Sequence, residues 1–256
     1  MTQALAGRHA LVTGGGRGIG AAIAAALAGA GARVTLLGRT TAELEATAAT
    51  LPGGALAVTA DVTDAGQVER AFAKARAAAG EIGILVNNAG LAKSRPLAKT
   101  DEAFWRSILE VNLTGAFHCS RAALPAMLAA NRGRIVSVAS TAGLRGYAYC
   151  TAYCAAKHGL VGFTRALALE VAKTGITVNA VCPGYTDTGM VRDAIRNISE
   201  KTARSEADAR ESIVSSNPQQ RLVQPAEVAN AVLWLCIPGS ESVNGQSIAI
   251  AGGEVT

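Results

Sequence analysis

Short runs rich in Val, Leu and Ile alternate along the chain with longer Ala- and Leu-rich stretches of helical period, and this alternation restricts the fold more than any other feature. The runs His9–Val12, Arg33–Leu37, Ala55–Thr59, Ile84–Val86, Arg134–Val138, Thr177–Val181 and Gln246–Ile250 read as strands. The stretches Ile19–Ala30, Thr41–Leu51, Asp64–Ala79, Glu102–Asn131, Ala152–Thr174 and Pro225–Leu235 read as helices. Short buried strands joined by helical crossovers pack as a parallel sheet covered on both faces, the doubly wound α/β architecture. Ligands of such a sheet bind at the carboxyl ends of its strands.

The 256 residues are 50% hydrophobic and 17% charged, with 28 Gly and 7 Pro. No repeat, linker or low-complexity tract divides them, so a single domain with an ample core is expected. The opening residues lack a charged segment followed by an apolar one, and no apolar stretch reaches about 18 residues. A soluble, cytoplasmic protein with no membrane partner is therefore expected. Five cysteines at 119, 150, 154, 182 and 236 match neither a disulfide framework nor a zinc site, and read as reduced, mostly buried thiols. The net charge of +5 is spread rather than clustered with aromatics, which argues against nucleic acid as a partner. It suits anionic small molecules or an acidic carrier protein, with an ordinary solvated surface as the alternative.

Between the first strand and the first helix lies Thr13-Gly14-Gly15-Gly16-Arg17-Gly18-Ile19-Gly20. Glycines there permit a tight turn and a close backbone approach to a pyrophosphate at the helix N-terminus. Further on, Tyr153-Cys154-Ala155-Ala156-Lys157 places a phenol and an ammonium one helical turn apart on a single face. A tyrosine titrates near ~10, so acid–base work at neutral pH asks for a drop of roughly 3 units, about 4 kcal/mol of phenolate stabilisation, to which a neighbouring lysine contributes. The same spacing also occurs where both side chains are merely solvated, so its meaning depends on its surroundings.

Those surroundings are informative. With the Thr-Gly-x-x-x-Gly-x-Gly loop, Asn87-Asn88-Ala89-Gly90 after the fourth strand, Ser140 after the fifth and Tyr153-x-x-x-Lys157 in that order, the chain resembles the short-chain dehydrogenase/reductase family over essentially its whole length. The resemblance implies a single-domain, Rossmann-type doubly wound sheet of about seven strands, and an NAD(P)-dependent enzyme acting on C=O and CH–OH groups. It implies a catalytic group of Asn112, Ser140, Tyr153 and Lys157. Tyr153 would exchange a proton with the substrate oxygen, Ser140 would hold that oxygen, Lys157 would lower the Tyr153 pKa and bind the nicotinamide ribose, and Asn112 would hold a water that resupplies protons. No metal is implied.

For the cofactor, the resemblance implies contacts from Gly14, Gly16, Arg17, Gly18, Ile19 and Gly20. Asp61 and Val62 would meet the adenine, and the segment Asn87, Asn88, Ala89 and Gly90 would follow the adenosine ribose. Tyr153 and Lys157 would meet the nicotinamide ribose, and Pro183, Gly184, Thr186 and Thr188 the carboxamide. Thr186 departs from the aliphatic residue that relatives often carry, and Asp61 has an ordinary alternative as a turn or cap residue. After the second strand the chain reads Leu37-Gly38-Arg39-Thr40, with no acid to bind a ribose 2′-hydroxyl. Arg39, with Arg17 as a second cation, suits a 2′-phosphate, so NADP(H) is the expected cofactor, with NAD(H) left open.

Residues 189–217 are polar, amphipathic and helical, and read as a lid over a substrate cleft. Its Arg192, Arg196, Lys201 and Arg204, with Lys93, Arg95 and Arg145 at the cleft mouth, could receive the phosphates of CoA or phosphopantetheine, or could be solvated charges matched by Asp193, Glu200 and Glu206. The segments Lys157–Thr164 and Thr174–Gly184 look especially like ketoreductases of aromatic polyketide synthesis and 3-oxoacyl thioester reductases. The expected reaction is NADPH-dependent reduction of a 3-oxoacyl thioester or polyketide-like β-ketone, with a broad-range ketone reductase/secondary-alcohol dehydrogenase as the alternative. A regulator that binds NADPH without turnover is a third reading, against which the full catalytic group speaks. The resemblance further implies a homotetramer built on the helices Glu102–Asn131 and Ala152–Thr174 and on the Val243–Gly253 region.

Overall fold

Successive side chains along the central strands are buried and point alternately into two cores, as a sheet covered on both faces requires. Ala10, Val12, Val34, Leu36, Ile84 and Val86 pack into one apolar cluster, while their neighbours Leu11, Leu37, Leu85 and Ile135 pack into another. The structure, a computed structural model, describes residues 3–202 and 204–255. In chain order the elements are β1 (His9–Thr13), α1 (Gly18–Gly29), β2 (Arg33–Gly38), α2 (Thr41–Thr50), β3 (Ala55–Thr59), α3 (Ala65–Ala79) and β4 (Ile84–Asn87). They continue with α4 (Glu102–Leu109), α5 (Gly115–Ala129), β5 (Gly133–Val138), α6 (Thr151–Glu170), β6 (Ile176–Pro183), α7 (Gly189–Thr202), α8 (Glu206–Val214), α9 (Pro225–Cys236) and β7 (Ser247–Ile250).

All seven strands run parallel in the order β3-β2-β1-β4-β5-β6-β7. The first cluster joins α1, α2 and α9 to one face; the second joins α3, α5 and α6 to the other. This is the Rossmann-like doubly wound sheet in a single domain. Its strand order reverses between β1 and β4, which opens a crevice at their carboxyl ends.

Three element boundaries differ from the sequence reading. The single helix expected over Glu102–Asn131 is two helices joined by a π-helical turn at Glu110–Thr114, and it ends where Asn131 turns left-handed at φ 46°. The helix expected to run to Thr174 stops at Glu170, its last turn replaced by hydrogen-bonded turns that lead to Gly175. The sixth strand is longer than Thr177–Val181 and is buried at every position. Within 189–217, α7 and α8 build a small core from Val191, Ile195, Ala209, Ile213 and Val214, completed by Leu222 from the segment that follows. All five cysteines are free thiols, with Cys119, Cys182 and Cys236 buried. Among the described residues no helix is long and apolar enough to cross a membrane.

Candidate active site

The crevice between β1 and β4 is floored by backbone. Gly14 and Gly18 adopt φ values of +63° and +55°, so side chains there would be strained. A Cβ on Gly20 would collide with the Gly14 carbonyl oxygen and reach 2.5 Å from Asn88 Nδ2. The N-terminus of α1 follows with Arg17 at its cap position and no side chain bonded to its free amides. Thr13 and Asn88 knit this loop to β4. The Thr13 hydroxyl accepts from the amides of Asn88 and Ala89, both at 2.9 Å, and Asn88 Nδ2 donates to the carbonyls of Thr13 (2.9 Å) and Gly14 (3.1 Å). In the sequence Thr13 stood out only as the first residue of the Thr-Gly-x-x-x-Gly-x-Gly loop, with no role of its own.

At the carboxyl end of β5, Ser140 opens a short 3-10 turn, Thr141–Gly143, and its Oγ accepts from the Ala142 amide at 3.1 Å. The turn lies hard against α6, since a Cβ on Gly143 would stand 2.8 Å from the carbonyl oxygen of Lys157. Tyr153 and Lys157 project from the first turns of α6, with the Lys157 amine 5.7 Å from the centre of the phenol ring. The Lys157 side chain is 4% exposed and donates to the Val138 carbonyl at 2.9 Å. Asn112 sits inside the π-helical turn, 2% exposed. Its Nδ2 donates to the carbonyls of Leu91 (2.8 Å) and Ile108 (2.9 Å), and its Oδ1 accepts from the Leu91 amide at 3.2 Å. A Cβ on Gly90 would lie 3.0 Å from Asn112 Oδ1 and 3.8 Å from Lys157 Nζ, so that glycine separates the two groups. The single extra residue of a π-turn redirects side chains, and such turns recur at functional sites.

Protonation follows burial. Burial pushes the Tyr153 phenol up to about 12, with the Ser140 hydroxyl pulling the other way, and pushes the Lys157 amine down to about 8. The expected depression of Tyr153 by Lys157 is thus not found. Removal from water penalises phenolate, nearby Cys150, Cys154 and Tyr185 add to the rise, and the Lys157 amine is turned to a backbone carbonyl. At neutral pH the tyrosine carries its proton and the lysine its charge.

The family model for short chain dehydrogenase matches residues 8–199. The chain belongs to the short-chain dehydrogenase family. Among its relatives, this short-chain dehydrogenase is 39% identical over 249 residues to the 3-oxoacyl-(acyl-carrier-protein) reductase FabG of Escherichia coli, spanning 96% of this chain and 97% of that one. It is 38% identical over 255 residues to D-beta-hydroxybutyrate dehydrogenase of Cupriavidus necator, covering 98% and 99% of the two. Among solved structures, actinorhodin polyketide ketoreductase with NADPH superimposes with a TM-score of 0.94 at 39% identity over 99% of each chain. Levodione reductase does so with a TM-score of 0.92 at 34% identity over 98% of each. The enzyme is an oxidoreductase of the CH–OH/C=O class, and its family binds NAD(P).

The crevice of this short-chain dehydrogenase fits a dinucleotide. The glycine cradle and the free amides of α1 suit a pyrophosphate. Thr188 faces the loop from the other side, its Cγ2 3.3 Å from where a Cβ of Gly18 would stand. Gly14, Gly18, Gly20, Asn88, Ala89 and Thr188 are therefore close neighbours, while Gly90 lies beside Asn112 and Lys157, Gly16 against α2 at Glu43 and Leu44, and Ile19 against the first apolar cluster. Arg39 follows β2 and is exposed, and its side chain makes no hydrogen bond or ion pair among the described residues. Arg17 is 79% exposed and lies 3.5 Å from Glu43. Asp61 forms an Asx turn, its Oδ1 accepting from the amide (3.0 Å) and hydroxyl (2.9 Å) of Thr63, while the cap of α3 falls to Asp64. Val62 is buried against Gly115.

Three of the expected contact residues keep their side chains in the interior. Asn87 is buried with Nδ2 donating to Ser120 Oγ at 3.0 Å, because its side chain alternates to the helix-covered face while that of Asn88 braces the loop. Pro183 is buried in β6, and Thr186 is buried with its hydroxyl donating to the Gly184 carbonyl at 3.0 Å, which leaves its backbone as the group to offer a ligand. Of the cations at the mouth, Arg192 pairs with Asp187 (3.2 Å), Arg196 with Asp193 (3.5 Å) and Arg95 with Asp101 (2.9 Å). The Lys201 side chain lies outside the described residues.

Proposed function

We propose that this enzyme reduces a ketone to a secondary alcohol with NADPH, most naturally a 3-oxoacyl thioester or polyketide-like β-ketone. The reading rests above all on the convergence of Ser140, a protonated Tyr153 and a cationic Lys157 beside the glycine cleft. Nicotinamide supplies the hydride when bound. The Ser140 hydroxyl orients the substrate oxygen, and Tyr153 gives that oxygen its Oη proton as negative charge develops there. Lys157 holds positive charge beside the phenol as the proton leaves. Asn112 fixes the Gly90–Leu91 segment and keeps one Oδ1 lone pair for a water that returns a proton by way of Lys157. Arg39, unpaired among the described residues, favours the 2′-phosphate of NADPH.

The relatives' names support the substrate class: FabG is a 3-oxoacyl-(acyl-carrier-protein) reductase and the structural neighbour a polyketide ketoreductase. A second reading, a broad-range ketone reductase, is favoured by the ion pairs that already engage Arg95, Arg192 and Arg196, and by exposed Tyr149 and Tyr185 on loops and Met190 at the start of α7. On either reading α7 and α8 act as the lid. The exposed Phe117 and Leu128 on α5, Leu169 on α6 and Trp234 on α9 suit a cytoplasmic homotetramer. NADPH and NADH oxidation with acetoacetyl-CoA, ethyl acetoacetate and a cyclic ketone separates the two readings. A thioester preference with NADPH is expected, and Tyr153→Phe should lower turnover by about 10²- to 10⁴-fold. Equal turnover of plain ketones selects the broad-range enzyme, and full activity in the Tyr153→Phe protein removes the proton donor assigned here.

A further inference from the structure

The chain end returns to the active site. After β7, Gly252 and Gly253 take φ values of +60° and +93° and turn the backbone around Asn217 and Pro218, where the helical segment 189–217 rejoins the body. This turn delivers Glu254 to the loop between β5 and α6. Glu254 Oε1 lies 2.5 Å from the Tyr147 hydroxyl, which also lies 2.7 Å from Thr141 Oγ1. A phenol has one proton to give, and the carboxylate is the stronger acceptor. The order of donation is therefore Thr141 to Tyr147 to Glu254, a chain in which each bond polarises the next. Arg145 Nη1 contacts the Glu254 carbonyl at 3.4 Å and its guanidinium sits 5.1 Å from the Tyr147 ring centre. The second carboxylate oxygen fills the space beside Gly184, where a Cβ would stand 2.9 Å away.

Thr141 directly follows Ser140 and begins the turn that lies against Lys157. Glu254 thus wedges the Ser140 turn apart from the loop after β6 and fixes the distance between them. We propose that Glu254, acting through Tyr147 and Thr141, is a positioning residue that holds the Ser140 hydroxyl at the substrate oxygen. The assignment rests on Ser140 acting as described above.

The test compares Ser140→Ala, Glu254→Ala, Glu254→Gln, Tyr147→Phe and the Tyr147→Phe/Glu254→Ala pair in NADPH-dependent reduction of acetoacetyl-CoA, with NADPH binding followed by fluorescence. Misplacing a reacting group by a fraction of an ångström should cost kcat about ten- to a hundredfold in Glu254→Ala and Tyr147→Phe, with KM for NADPH unchanged. The double variant should lose no more than either single one, because both break the same link. Glu254→Gln keeps an acceptor oxygen for Tyr147 and should restore most of the rate. If Glu254→Ala does not fold, the Gln variant and Tyr147→Phe still carry the comparison. Wild-type kcat in Tyr147→Phe, additive losses in the pair, or a change confined to KM for NADPH overturns the assignment. A Ser140→Ala enzyme with undiminished kcat overturns the reading of the site instead.

Discussion

Arg39 shows how much one side chain can decide. It follows β2 with no ion pair among the described residues, so a 2′-phosphate placed there gains a partner without having to displace one of those. Arg39→Ala should therefore raise KM for NADPH about tenfold or more, leaving kcat and the KM for NADH nearly unchanged, because the contact is made equally in ground and transition states. Steady-state kinetics with both cofactors checks this, and equal effects on the two would remove the basis for NADP preference. Arg39 and the proposed catalytic residues stood out in the sequence through motifs and their order. Their protonation states did not, because the Tyr153 and Lys157 shifts arise from burial contributed by elements far apart in sequence. The Tyr147–Glu254 contact joins residues 107 positions apart and left no local pattern to read.

Among the elements, the loop from β1 to α1 has little room. Gly20→Ala would put a methyl group against the Gly14 carbonyl and the Asn88 side-chain amide, and the backbone carbonyl cannot yield as the end of a flexible side chain could. Overpacking of this kind costs about 1–3 kcal/mol. Denaturant unfolding should register that loss, and NADPH titration should show weakened binding; an unchanged affinity would mean that the α1 amides are not the pyrophosphate site. Strand and helix positions followed the hydrophobic period closely, since each strand alternates between two cores. The π-helical turn at Glu110–Thr114 was invisible, because one inserted residue leaves the helical composition intact and changes only which carbonyl each amide meets. Asn112 could be named from its motif, but the local geometry that buries it could not.

For the molecule as a whole, the end of the sheet opposite the site sets a pH limit. His9 is buried in β1, with Nδ1 2.7 Å from the Gly80 carbonyl and Nε2 2.9 Å from the Thr35 hydroxyl. A carbonyl can only accept, so Nδ1 carries the proton and Nε2 accepts from Thr35. Burial accordingly lowers the His9 pKa, with nearby Arg33 adding to the effect and the Gly80 carbonyl and Glu81 opposing it. The unfolded chain takes up a proton near pH 6.5 before the folded one does. Stability from this group is full above that pH and declines as the pH falls towards the lower folded value. Unfolding free energies measured at pH 7.5 and 5.5 should differ, and by less in a His9→Gln variant; an identical difference would assign the acid sensitivity elsewhere.

The strand order also governs how the chain reaches this state. The neighbouring strands β1 and β4 pair residues as distant as Ala10 and Ile84, and every connection in the sheet is a crossover. Loop closure must precede the contacts that stabilise it, so refolding should be slow compared with a helical bundle of similar size. During synthesis the β1–α3 half emerges with one edge of β1 open. It stays exposed to other chains until β4 arrives to close it.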